Sequence, residues 1–165
     1  MIKQRYFLFI CFIITGSTWI ACKSQRDPCL QPTTIPLRLG IYQPADTGRL
    51  GKDSILANAL IVLADTAFGI QSKGSSKLSI FLSPKTDSCR WILIPDSAQI
   101  ANPFKRDTVI FRYKPELHFL SEACGFVYFY NLKSISTTNY LIDSVFISNY
   151  DVTTEAGKEH VKIFY

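Results

Sequence analysis

Glu116, His118 and Glu122 stand close together in PELHFLSEACGF, and a carboxylate beside an imidazole is a minimal set for general acid–base chemistry. On a strand, side chains alternate between faces, so positions 116, 118 and 122 share one face. Charged groups on such a face are more often simply solvated. Ser121 has no G-x-S-x-G surroundings, and no glycine-rich phosphate loop occurs. His118 near Cys124 suggests a thiol nucleophile, but a cysteine held in a disulfide cannot serve as one. The two histidines, His118 and His160, are isolated, and no C-x-x-C occurs, so no metal site and no cofactor is expected. The segment GFVYFYNL puts Phe126, Tyr128 and Tyr130 on one face and Val127 and Phe129 on the other. Stacked aromatics can form a sugar platform, although one such face is more often core. The candidate ligand-contacting residues are therefore Tyr128, Tyr130, Glu116 and His118, and no residue is assigned as catalytic.

The cysteines carry more specific chemistry. Residues 1–21 run from the basic MIKQR through the apolar run Tyr6 to Ile14 to the small, polar TGSTWIA. That is the order of a secretory signal peptide. A membrane-spanning helix needs about 20 apolar residues, and this run is shorter and interrupted by Thr15 to Thr18. An uncleaved signal anchor is the alternative. Ala21 directly before Cys22 resembles a bacterial lipobox, in which the thiol receives diacylglycerol, the chain is cut before the cysteine and the new amine is acylated. Trp19 departs from the usual Leu or Val at its position in that box. Cys11, inside the apolar run with Ile10 before it, is not a competing box. The competing reading is an ordinary secreted protein whose Cys22 forms a disulfide.

An exported chain meets an oxidising compartment, where disulfides persist. With Cys22 lipidated, Cys29, Cys89 and Cys124 are left, an odd number, so one disulfide and one free thiol is the simplest count. We favour Cys29 with Cys124, both at edges of expected strands, with Cys89 buried at the start of another. The expected organisation is a signal peptide at 1–21, a lipidated cysteine and polar tether at 22–34, and one domain at 35–165.

These groups must be positioned by strands. Past residue 35 the chain alternates apolar and polar residues between turn signals. PLRLGIY places Leu37, Leu39 and Ile41 on one face. LIVL reads as a short buried strand, although SILANALIVLADTAF also has helical spacing; QSKGSSK reads as the turn after it. KLSIFLS, CRWILIPD, DTVIFRY, ELHFLS, CGFVYFYNL, LIDSVFISNY and HVKIFY follow, with Pro115 read as the break between DTVIFRY and ELHFLS. Eight or nine strands with no convincing long helix imply an all-β fold, an antiparallel β-sandwich of immunoglobulin type, with a closed barrel as the alternative.

Charge excludes little but is informative. Of 18 basic residues, Lys3 and Arg5 fall in the signal segment, leaving 16 against 13 acidic ones, about +3. The basic residues never form a run, so nucleic-acid binding is not expected.

A lipobox cysteine followed by CLQPTTIPLRLGIY, FLSEACGFVYFYNL and a terminal HVKIFY resembles a family of small Bacteroidota lipoproteins known only as a domain of unknown function. The resemblance spans the mature chain and is most specific in SEACGF and HVKIFY. It implies a membrane-anchored all-β domain of the cell envelope, with no activity to carry across. The Cys29–Cys124 pairing fits its two cysteine-bearing motifs. Surface-exported lipoproteins of that group tend to be acidic just after the lipidated cysteine. Lys23 and Arg26 here, with Asp27 alone on the acidic side, point instead to an outer-membrane protein facing the periplasm. Three functional classes follow: a structural or interaction module with an envelope protein as partner, a glycan or small-ligand binder, and, with least support, a hydrolase using Glu116 and His118.

Overall fold

The computed structural model describes residues 28–43, 53–66 and 68–165. The signal segment, Cys22 and tether residues 23–27 lie outside these described residues. Ten strands are present: β1 Pro36–Tyr42, β2 Leu56–Leu63, β3 Gly69–Ser75, β4 Lys77–Phe81, β5 Ser88–Ile94, β6 Asp107–Ser121, β7 Gly125–Thr137, β8 Ser144–Ile147, β9 Asp151–Val152 and β10 Val161–Phe164. They form a four-stranded sheet, β4-β1-β10-β8, and a six-stranded sheet, β3-β2-β5-β6-β7-β9. This is a β-sandwich. Every pairing between strands is antiparallel except that of β1 with β10, which joins the first strand to the last in parallel. The count exceeds the about seven to nine strands of immunoglobulin domains. Among the described residues no helix is long and apolar enough to cross a membrane.

The core follows from the alternation. Leu37, Leu39 and Ile41 of β1, Leu78 and Ile80 of β4, and Val161 and Ile163 of β10 are buried, as are Val109, Phe111 and Tyr113 of β6. Two tyrosine hydroxyls tie the sheets together. Tyr130 donates to the Leu82 carbonyl at 3.0 Å, and Tyr113 donates to the Ser83 carbonyl at 3.0 Å while accepting from the Ser83 N–H at 3.0 Å. The Tyr113 and Tyr130 rings meet edge to face, with centroids 5.5 Å apart, an arrangement their quadrupoles favour.

Two local readings are corrected. QSKGSSK is not a turn, because Gly69–Ser75 is β3. The turn lies earlier, after Leu63. As an edge strand with mostly exposed or half-buried side chains, β3 carries no apolar alternation to betray it. Pro115 does not break the chain either: β6 runs through it, with Pro115 opposite Tyr130. The reason is the edge. β5 pairs with β6 only as far as Arg112, so beyond that point β6 has a neighbour on one side alone, where proline is tolerated. DTVIFRY and ELHFLS are therefore one strand of 15 residues.

His160 is buried just before β10. Its Nδ1 accepts the Arg38 backbone N–H at 3.0 Å, and its backbone N–H donates to the Arg38 carbonyl at 3.0 Å, so it extends the pairing of β1 with β10. Burial first, then the charges of Arg38 and Lys158, push its imidazole down to about 4. Below the ordinary value near 6.5 the unfolded chain takes up a proton that the folded chain refuses until about pH 4. Stability is therefore full above about pH 6.5 and falls as pH drops towards 4. Urea unfolding should show a loss of about 2 kcal/mol between pH 7 and pH 5 from this group. His160→Asn keeps an acceptor near the Arg38 N–H and should flatten that slope; an unchanged slope would show that another group carries it.

Candidate functional site

The long β6–β7 hairpin holds every candidate side chain. Its register pairs Pro115 with Tyr130, Leu117 with Tyr128 and Phe119 with Phe126 on one face, and Glu116 with Phe129 and His118 with Val127 on the other. The tyrosines and the carboxylate–imidazole pair therefore point to opposite sides. Tyr130 is buried in the core, and Tyr128 is exposed. Glu122 lies in the turn beyond the end of β6 rather than on its face. Gly125 closes that turn at a φ of 68°, a left-handed conformation that suits glycine.

On the face that Glu116 and His118 share with the buried Val127, Lys114 Nζ donates to Glu116 Oε1 at 2.9 Å, and His118 Nε2 lies 3.8 Å from Glu116 Oε2. The hydrogen bond from Lys114, then its charge, holds the Glu116 carboxyl below the usual carboxylate range. Glu116 is thus an anion whose better acceptor is already occupied, the opposite of a poised general acid. His118 stacks on Phe129, with ring centroids 4.3 Å apart. Asn131 Nδ2 donates to Asp151 Oδ1 at 2.6 Å, and Lys133 Nζ donates to Asn131 Oδ1 at 2.6 Å. Glu116, His118, Phe129, Asn131, Asp151 and Thr153, with the buried Tyr130 beneath, line an open depression of about 210 Å³. Ligand pockets usually enclose about 300–1,000 Å³. The depression suits a polar contact surface better than an enclosed small-molecule site.

Sequence reasoning missed Lys114, Phe129 and the Asn131–Asp151 pair. Lys114 stands two residues before Glu116, so the same alternation places it on that face. Asp151 had no local signal, because β9 brings it there from beyond β8. No group of three His, Cys, Asp or Glu side chains gathers to hold a metal among the described residues.

Cys29 and Cys124 form a disulfide, with S–S 2.04 Å and Cα atoms 4.8 Å apart. Cys124 sits in the β6–β7 turn, and Cys29 lies in the irregular segment before β1 rather than at a strand edge. Cys89, near the start of β5, is the free cysteine of the described residues and is half-buried. Burial pushes its thiol up to about 11, so it is a poor nucleophile at neutral pH. Cys22, the proposed lipidation site, lies outside the described residues.

The sequence profile of a family described as a family of unknown function, DUF6452, matches residues 45–165. No curated protein and no solved structure matches the chain.

Proposed function

We propose, for a chain that belongs to the DUF6452 family of unknown function, the role of a lipid-tethered interaction module of a bacterial cell envelope. Cys22 is the attachment point, and the sandwich faces the periplasm from the outer membrane. The observation that carries this reading is the Cys29–Cys124 disulfide. Such a bond belongs to an oxidising compartment, which agrees with a chain that opens on a signal-peptide pattern. It also fastens the domain seven residues from the cysteine of the lipobox. Two or more acyl chains give stable attachment, each buried methylene contributing about 0.8 kcal/mol.

The hydrolase reading draws little from the face that carries Glu116 and His118. Glu116 is engaged by Lys114, and the Ser121 hydroxyl oxygen accepts the Cys124 N–H at 3.1 Å within its own turn. A glycan platform would need the exposed aromatics to line a concavity, but the depression lies on the other face of the hairpin. Mass spectrometry of the mature N-terminus tests the attachment. The expected first residue is Cys22 carrying diacylglycerol and an N-acyl chain. A free Cys22, or an intact Met1, would remove the lipoprotein reading. Crosslinking in envelope membranes tests the interaction role, and failure to recover any specific protein partner counts against it.

A further inference from the structure

The β6–β7 hairpin is longer than the sandwich it helps to build. Where the four-stranded sheet covers it, the inner face buries Tyr113, Tyr130 and Leu132. Past Pro115 the same face is left open. Leu117 is 56% exposed, Phe119 57%, Phe126 64% and Tyr128 39%. The Phe119 and Phe126 rings lie with centroids 5.2 Å apart across the strand pair. Leu30, beside Cys29, is also exposed. Contiguous exposed apolar side chains of this kind mark a surface that something covers.

The chain itself points to the occupant. The disulfide ties this tip to Cys29, and only six residues lie between Cys29 and Cys22. A chain spans at most about 3.3–3.6 Å per residue, so Cys29 lies within about 25 Å of Cys22 even with that stretch fully extended. The Cα of Cys124 in the hairpin turn is 4.8 Å from that of Cys29, which puts the turn within about 30 Å of Cys22. Phe126 is two residues from the bonded Cys124. We propose that the hairpin tip, through Leu117, Phe119, Phe126 and Tyr128, inserts into the interfacial region of the phospholipid bilayer that holds the anchor. The inference rests on the lipid-anchor reading and adds an orientation to it: the sandwich stands on its β6–β7 hairpin, with the opposite end of β6 away from the membrane. Tyr128 nearest the sandwich and the phenylalanines nearest the tip match the usual order, a ring with a polar end at headgroup level and purely apolar rings deeper.

The test uses the full chain, exported and purified in detergent, then reconstituted into phosphatidylethanolamine–phosphatidylglycerol vesicles with brominated acyl chains. Tryptophan is placed at the tip by Phe126→Trp or just before the far end of β6 by Phe104→Trp, both exposed positions where folding should be kept. The difference in emission from the parent chain reports each position. The expected result is a blue shift and loss of emission for Phe126→Trp, with Phe104→Trp unchanged. Vesicle-bound protein whose tip tryptophan is unquenched overturns the inference and leaves the anchor reading intact, whether the tip is then found in water, against a second copy or against another protein. Protein that lacks lipid on Cys22 and floats free of the vesicles overturns both.

Discussion

Asp107→Ala is expected to lower the stability of the domain by about 3–5 kcal/mol, a loss on the scale of breaking a buried charged network. Asp107 is buried at the first position of β6. Its Oδ1 accepts from the Thr138 hydroxyl at 2.6 Å and from the Tyr140 N–H at 2.7 Å, and its Oδ2 accepts from the N–H groups of Leu141 and Ile142 at 2.7 and 2.9 Å. Residues 138–143 carry the chain from β7 in one sheet to β8 in the other. Such a crossover leaves backbone donors without ladder partners, and one carboxylate supplies the acceptors for three of them. Alanine leaves all three N–H groups orphaned at once, each costing about 1–3 kcal/mol where it is buried. Asn139, at φ 55°, sits inside this turn, a conformation asparagine tolerates and β-branched residues do not.

The same carboxylate sets an acid limit. Burial alone would raise its proton affinity, but the Thr138 hydroxyl and the three backbone donors outweigh burial and hold the carboxyl below its ordinary value. A depressed carboxyl contributes its full stability above the unfolded value near 3.9 and loses it as pH falls through the lower, folded value. This acid limb is separate from that of His160, which is spent between about pH 6.5 and 4. Asp107→Asn keeps the shape but presents an amide donor to backbone donors. Urea titrations at pH 7 and pH 3 should show both variants losing stability at pH 7 and losing less than the parent on acidification. A pH 7 loss below about 1 kcal/mol for Asp107→Ala would mean that water replaces the carboxylate easily.

Asp107 also marks the limit of what sequence can reveal. Its four partners lie 31 to 35 residues away, and nothing in RDTVIF distinguishes it from a solvated residue before a strand. The sandwich was legible because its inner strands alternate cleanly, as in Leu37, Leu39 and Ile41 or Val109, Phe111 and Tyr113, all buried. β3 was not, since an edge strand needs no apolar face. Pro115 misled for a related reason. Proline forbids a donor, but only the tertiary neighbours decide whether a donor is needed there. At the candidate site, alternation correctly grouped Phe126, Tyr128 and Tyr130 on one face of β7. It could not show where the covering sheet stops, and that boundary makes Tyr130 core and leaves Phe126 and Tyr128 in the open.

Removing the disulfide with Cys29→Ser and Cys124→Ser together is expected to lower stability by about 4–5 kcal/mol, the chain-entropy value for a closed loop near 100 residues. The bridge spans 95 positions and encloses all of β1 to β6. Its native-state surroundings argue that the effect arises in the unfolded chain. Residues 30–34 are exposed and form no strand, so little packing is lost when Cys29 is released. An unfolded-state origin has two further signatures. Either single serine variant should cost as much as the double, because each removes the same crosslink. The urea m-value should also rise, since the unlinked chain exposes more surface on unfolding. A loss under about 1 kcal/mol with an unchanged m-value would place the stabilisation elsewhere. The functional consequence is separable from the energetic one. Without the bridge the lipid would hold the domain through residues 23–35 alone, and the hairpin tip would no longer be fixed within reach of the anchor. The tip tryptophan at position 126 should then lose its quenching by brominated lipid while the protein stays on the vesicles. That outcome would give the bond an orienting role beyond its stabilising one.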